Sequence, residues 1–304
     1  MPKMLTAQTR PKIQRGWQAT IGLDEQCFMQ VTQECEEAYK ILYDGSFTEV
    51  LLANPQGKIA KFKSISDLIF YTLCMLKSGI TFDYAAFLYQ FDQANAHRNF
   101  VNGINLLHYV LDQNGFLPLR SFDGPEQFEC QFSRSDTLLI DATEQRIQRP
   151  QDQEGQRDAY SGKKKSHTVK SMIISTLDRY IWYVSVAYVG RTHDYSLLKS
   201  EFDPALPWFD GYKVRVDLGY QGFFTDYPGA VLFLPKKKPK GGELTETEKL
   251  KNRELARERI FVEHSIGGMK RYDILSTVCR IHDFDLYDKI LASCAGLWNF
   301  FIIR

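Results

Sequence analysis

Asp136-Thr-Leu-Leu-Ile-Asp-Ala-Thr-Glu144 decides the fold. The apolar run Leu138 to Ile140 has the length and branched content of a buried strand, and it ends abruptly at Asp141. A carboxylate at the end of a buried strand is costly unless a cation or hydrogen-bond donors meet it. Two later stretches share this logic. Val214-Arg-Val-Asp217-Leu-Gly-Tyr-Gln reads as a second strand ending in an acid. Arg259-Ile-Phe-Val-Glu263-His-Ser-Ile-Gly-Gly-Met-Lys270 reads as a helix carrying Glu263. If the three acids meet, they form a hard oxygen site for Mg²⁺ or Mn²⁺.

Outward from that stretch the back half reads as α/β. Strands are expected at 137–142, 167–176, 181–189, 213–216 and 231–234. Leu177-Asp-Arg-Tyr180 gives the hairpin signal between the second and third. Residues 146–163, polar with Pro150 and Gly155, read as a loop. Asp194 is placed to cap a short helix through Leu198. A long helix is expected from about 245 to 271 and a final apolar one over 281–303.

The front half reads as helical. Residues 1–20 carry Lys3, Arg10, Lys12 and Arg15 without an acid and look like a loose cationic arm, although a plain frayed terminus is the simpler reading. A helix over 23–43 places Phe28, Val31, Cys35, Ala38 and Leu42 on one face. Asn54-Pro-Gln-Gly57 is a turn. Ser64-Ile-Ser-Asp67 resembles a capping box opening a helix, which Ser78-Gly79 ends. A short helix over 82–91 and a third beginning near Gln93 follow, with Val101, Ile104, Leu107 and Leu111 on the buried side. This is the helix-turn-helix pattern, which would set Asn95, His97, Arg98 and Asn99 toward base edges. The spacing fits an ordinary three-helix bundle as well. Residues 118–133, rich in Pro, Gly and Asp over 118–128, read as a linker.

The 304 residues are 44% hydrophobic, enough for a real core, and allow one large domain or two. No apolar run approaches the ~18 residues of a membrane span, and neither a transmembrane helix nor a signal peptide is expected. The six cysteines are scattered without a Cys-x-x-Cys pair and read as reduced cytosolic thiols rather than a disulfide framework. His167, His193 and His264 show no zinc spacing. The net charge of only +1 contrasts with the basic balance of many nucleic-acid binders, so any DNA-binding surface must come from the distribution of charge.

Five ordered motifs carry a resemblance: Leu-Ile-Asp141-Ala-Thr, Tyr160-Ser-Gly-Lys-Lys-Lys-Ser-His167, Gly190-Arg-Thr-His-Asp194, Asp217-Leu-Gly-Tyr220, and Arg259 with Glu263 and Lys270. Over about residues 138–275 the chain resembles the DDE transposases of bacterial insertion sequences. In some of these a Tyr stands three positions before the Arg; here Ala256 occupies that place, so any role of that Tyr has no counterpart. The resemblance implies an α/β fold, a ribonuclease H-like mixed sheet flanked by helices, preceded by an all-α helix-turn-helix domain. The expected division is an N-terminal arm and helix over 1–60, a helix-turn-helix domain over 61–117, a linker over 118–133 and a catalytic domain over 134–304.

The implied function is transposition. Asp141, Asp217 and Glu263 are the catalytic and metal-holding acids. Two Mg²⁺ or Mn²⁺ ions about 4 Å apart activate the nucleophile and stabilise the leaving oxygen; Asp141 bridges both, and Asp217 and Glu263 each hold one. The implied partners are double-stranded DNA at element ends and at the target, with a homodimer on DNA and no membrane; the implied location is the bacterial cytoplasm, at the nucleoid. A non-catalytic DNA-binding protein derived from a transposase, or a host endonuclease of the same fold, remains as an alternative. Arg259 and Lys270 share a helix face with Glu263 and can reach phosphates or simply pair with it. Val262, Ile266 and Met269 form the neighbouring apolar stripe, and Gly267-Gly268 should weaken the helix by roughly 1 kcal/mol per Gly. Lys163, Lys164, Lys165 and Lys170 form one basic cluster, and Lys236, Lys237, Lys238 and Lys240 another. Both read as phosphate-binding.

Overall fold

The computed structural model describes residue 11 and residues 13–52, 62–239 and 241–303. Lys3, Arg10, Lys12, the turn at 54–57 and Lys240 lie outside the described residues. The chain divides into two units, Met1–Leu117 with Met269–Arg304, and Pro118–Gly268.

The first unit is helical. It comprises α1 (Gln14–Ile21), α2 (Glu25–Tyr43), α3 (Phe47–Leu52), α4 (Ile65–Ser78), α5 (Phe82–Tyr89), α6 (Gln93–Gln113) and the C-terminal helix Phe284–Ile302. Side-chain caps start most of these helices. Asp24, Ser46, Ser64, Thr81, Asp92 and Asp283 each accept a backbone N–H three residues on, which satisfies a donor the helix cannot. Gly79 at φ 59 closes α4. The expected face of α4 is buried throughout, from Ile65 to Leu76. Residues 14–21 are helix rather than arm, because Trp17 and Ile21 are buried and Trp17 packs on Phe28 and Phe70. That aromatic cluster joins α1 and α2 to α4, so residues 1–60 and 61–117 do not form separate bodies among the described residues. Leu42 lies outside the buried face of α2, at 46% exposure.

The C-terminal helix packs along α6 and clusters with the first unit. Residues 290–300 are buried without interruption, so this stretch of the helix has no solvent face and must sit inside a helical layer. Its two buried polar side chains find partners there: Asn299 donates to the Phe116 carbonyl, and Ser293 contacts His108.

The second unit holds α7 (Pro125–Phe132), β1 (Thr137–Arg146), α8 (Gln153–Ala159), β2 (Tyr160–Ser161), β3 (Ser166–Ser175), β4 (Ile181–Val184), β5 (Tyr188–Val189), α9 (Asp194–Glu201), β6 (Lys213–Arg215), α10 (Phe223–Asp226), β7 (Val231–Phe233) and most of α11 (Glu246–Lys270). The sheet runs β2-β3-β1-β6-β7, with β4 and β5 also paired to β3. β1 is antiparallel to β3 and parallel to β6, and β6 is parallel to β7. A mixed sheet flanked by helices is the ribonuclease H-like architecture that was expected. β1 lies at its centre, so Leu138, Leu139 and Ile140 are all buried instead of alternating.

Three expectations are corrected here. Residues 118–133 are not a linker, because Leu119 bridges β4 at Tyr183 and α7 buries Phe128 and Phe132 in the core of the sheet unit. The loop expected at 146–163 contains α8 and β2, and the strand expected at 181–189 is broken into β4 and β5.

α4 and α6 approach closely at Gly103. A Cβ at Gly103 would stand 1.9 Å from Thr72 Oγ1, whose hydroxyl donates to the Leu68 carbonyl at 2.8 Å. Gly103→Ala should therefore lower stability by roughly 1–3 kcal/mol through overpacking, despite the better helix propensity of Ala. Adding Thr72→Ala should recover part of the loss. A double-mutant cycle by urea unfolding checks this, and additive effects would show that the two positions do not meet.

Candidate active site

Asp141 stands on β1 where burial gives way to partial exposure, its side chain 17% exposed. The Ala142 N–H donates to its Oδ1 at 2.8 Å, and an Arg259 nitrogen lies 3.6 Å from its Oδ2. Burial pushes the Asp141 carboxyl up to about 6. The Ala142 amide and Arg259 oppose the rise, while the charges of Asp217 and Asp194 add to it. Asp141 and Asp217 thus feel one another across the end of the sheet.

Asp217 follows β6 and caps the turn Leu218–Tyr220, accepting the Gly219 N–H at 2.7 Å. A Cβ on Gly219 would lie 2.8 Å from Asp217 Oδ1 and 3.2 Å from Asp194 Oδ2, so any side chain there would crowd both carboxylates. Tyr220 follows, fully buried, with no hydrogen-bond partner for its hydroxyl. Burial, then the charges of Asp141, Asp194 and Asp217, push that hydroxyl well above its usual pKa.

α11 is tied to one face of the sheet by polar contacts. Leu139 and Arg215 are register partners, and Arg215 also pairs with Phe233. Asp141, two residues beyond Leu139, therefore points to the same side. On that side Arg215 pairs with Glu258 at 2.8 Å and lies 4.3 Å from the Phe233 ring centroid. Arg259 faces Asp141, Val262 is buried, and Ser265 donates to the Arg179 carbonyl at 3.0 Å. Glu263 is one turn beyond Arg259, exposed to solvent. Among the described residues, no three His, Cys, Asp or Glu side chains are arranged to hold a metal ion.

The opposite side of the sheet holds a polar network that the sequence reading dispersed. Lys170 is buried and donates to Asp194 Oδ1 and to the Thr192 carbonyl, both at 2.7 Å. It also lies 3.6 Å from Glu144, which accepts from Thr168 at 3.0 Å. Lys170 therefore does not belong to a phosphate-binding surface. Asp194 does not cap α9 either, because that position is taken by His193 and the Asp194 carboxylate is engaged by Lys170. The strand register Glu144↔Lys170 is the signal that could have found the pair, but it exists only once β1 and β3 are aligned.

The remaining cations divide by environment. Lys163, Lys164 and Lys165 are exposed on the turn between β2 and β3, with Lys165 at φ 49. Lys236 is paired with Glu248 and bonded through its backbone to Asn252, whereas Lys237 and Lys238 are exposed. Lys270 ends α11 and belongs to the first unit. In that unit Arg98 donates to Asn95 at 2.6 Å, and Asn95 in turn bonds Asp92. His97 and Arg98 are exposed on the first turns of α6, Asn95 and Asn99 half-buried. The His97 ring meets Phe82 edge-on at 5.0 Å.

The donor chemistry suits a divalent cation. The ligating atoms on offer are hard carboxylate oxygens, and a guanidinium already occupies the cationic place beside Asp141. The Tyr220 hydroxyl is buried without a partner and feels the charges of Asp141, Asp194 and Asp217.

The family of DDE superfamily endonucleases matches residues 140–299. The chain is 31% identical over 183 residues to a probable transposase for insertion sequence element IS702 of Microchaete diplosiphon. That similarity covers 59% of this chain and 62% of the relative, so it spans less than two thirds of the relative's own length. No solved structure matches the chain.

The raised Asp141 carboxyl has a stability consequence in divalent-free buffer. Between about pH 4 and 6 the native protein keeps a proton that the unfolded chain has released, so stability falls as pH rises through that window and is flat above it. Two pH units correspond to roughly 3 kcal/mol. Asp141→Asn keeps an acceptor for the Ala142 amide and removes the titration. It should match wild type near pH 4 and unfold at higher urea at pH 7.5. Equal midpoints at both pH values would show that Asp141 ionises freely.

Proposed function

Because the chain belongs to the family of DDE superfamily endonucleases, we propose that it is an insertion-sequence transposase that binds the ends of its element and carries out metal-dependent DNA cleavage and strand transfer. The observation that carries this reading is the convergence of Asp141 and Asp217 at the end of a buried strand, with Arg259 against the first carboxylate. An acid so placed keeps its charge only with the help of cations or hydrogen-bond donors.

Mg²⁺ or Mn²⁺, as a pair of ions held by Asp141, Asp217 and Glu263, would supply Lewis-acid stabilisation and an activated nucleophile. The protein's own groups do the positioning. Arg259 keeps Asp141 ionised. Glu258 and Ser265, by bonding the sheet unit, fix the rotation of α11, and Glu263 is thereby kept on the side of Arg259. Lys163, Lys164 and Lys165 bind phosphates from their exposed turn, with Arg259 and Lys270 as further phosphate contacts along α11. The first turns of α6 read bases through Asn95, His97, Arg98 and Asn99, and the Asp92–Asn95–Arg98 chain sets the Arg98 rotamer. The protein acts as a homodimer on double-stranded DNA.

On DNA carrying the element's terminal repeat, Asp141→Asn should abolish Mg²⁺-dependent nicking while end binding persists. A variant that cleaves at the wild-type rate would sink the assignment. Arg98→Ala with Asn95→Ala should reduce the preference for a terminal repeat over a scrambled duplex, because base contacts specify and phosphate contacts only position. Lys163→Ala with Lys164→Ala should weaken binding to both duplexes alike and make the salt dependence shallower. Gel-shift titrations at fixed salt separate the two patterns, and an equal loss on both duplexes for the α6 pair would remove the base-reading role.

A further inference from the structure

The segment that follows Asp217 presents apolar side chains to solvent. We infer that Phe224, with Leu218, is a substrate contact, its phenyl ring stacking on a nucleobase of the DNA near the phosphate that reacts. This inference rests on the proposed DNA cleavage and adds a base contact to the acids and cations already assigned.

Phe224 is 69% exposed, the most exposed large apolar side chain among the described residues of the second unit. The core takes its neighbour instead. Phe223 is fully buried, its ring 5.3 Å from that of Phe209 and 4.7 Å from that of Tyr227. The same division occurs at the start of the segment, where Leu218 is exposed and Tyr220 is buried. The backbone between these anchors is held against α9. The Tyr195 ring lies 3.2 Å from the place a Cβ on Gly222 would take, and Gly222 turns the chain at φ 100. The Tyr195 hydroxyl donates to Asp226, which also pairs with Lys199 at 3.4 Å. Leu218 and Phe224 therefore stand out from a fixed turn rather than from a loose loop.

Phe224 is close enough to Asp217 to meet the same DNA. Seven residues reach at most about 25 Å even when fully extended, the rise of about seven base pairs, and two short turns shorten the path here. Neither side chain can bond a phosphate. What DNA offers them is the face of a base or a thymine methyl group. Base faces are bare at a DNA end or where a strand leaves its duplex, which is the state that cleavage creates. An uncharged contact also suits this end of the sheet. Asp141, Asp194 and Asp217 gather negative charge there and repel a phosphate backbone, whereas stacking holds a strand without a further cation.

The test uses a duplex carrying the element's terminal repeat, with 2-aminopurine placed in turn at each position within about seven base pairs of the cleavage site. Emission and affinity are measured in chelator-treated buffer, where the DNA stays intact, and nicking is measured with Mg²⁺. The wild type should change the emission of at least one position. Phe224→Ala should unfold at the wild-type urea concentration, lose that change and bind about 5- to 150-fold more weakly, the stacking of one base. Phe224→Trp should keep both properties, and Phe224→Leu, apolar but without a ring, should lose the emission change. If the wild type nicks the duplex but no position responds, or if Phe224→Ala keeps the wild-type emission and affinity, the base contact is overturned while the broader reading stands. Equal behaviour of Phe224→Leu and Phe224→Trp overturns ring stacking even if Phe224→Ala fails to fold. A wild type that neither binds nor nicks the duplex overturns the proposed function and this inference together.

Discussion

The second unit is organised around the cost of a half-buried carboxylate at the end of its central strand. Leu138, Leu139 and Ile140 bury β1 from both sides, and the chain then places Asp141 at the limit of that burial. Isolated, such an acid would keep its proton at neutral pH. The neighbouring elements answer it in turn: the Ala142 amide from the same strand, Arg259 from α11, and Asp217 near enough to raise the demand for positive charge. The seating of α11 follows from this demand. Three of its polar side chains, Glu258, Arg259 and Ser265, meet Arg215, Asp141 and the Arg179 carbonyl, beside the buried apolar residues Leu255 and Val262.

The same economy appears on the other side of the sheet. Lys170 is buried, which is tolerable only because two carboxylates and a carbonyl surround it. Its ammonium fixes Asp194 beside Gly219, and the absence of a side chain at 219 keeps Asp194 and Asp217 from being separated by carbon. Two faces of one sheet thus deliver carboxylates to one end. Like charges gathered this way repel one another unless cationic groups such as Lys170 and Arg259 offset them.

The first unit follows a different principle. Its helices are started by short polar caps and held by aromatic contacts and by one helix whose residues 290–300 have no solvent face. Gly103 lets α4 and α6 approach more closely than any side chain would allow. The exposed polar groups at the start of α6 stand on that close-packed pair. No helix among the described residues is long and apolar enough to cross a membrane.

Local patterns determined much of this by themselves. The apolar run before Asp141, the branched strand before Asp217, the capping box at Ser64 and the helical spacing of α4 are legible because each depends on residues close in sequence. The ordered acid motifs likewise pointed to the family to which the chain belongs. Only the tertiary structure decided what depends on partners far apart in the chain. Lys170 reads as one more surface lysine until the register of β1 and β3 sets it opposite Glu144 and within reach of Asp194. The segment 118–133 reads as a linker because Pro, Gly and Asp dominate its start, yet Phe128 and Phe132 find an aromatic core supplied mostly by residues beyond 180. The last helix follows the sheet in sequence, but a helix apolar on every side needs helices around it, and those are supplied by the other end of the chain.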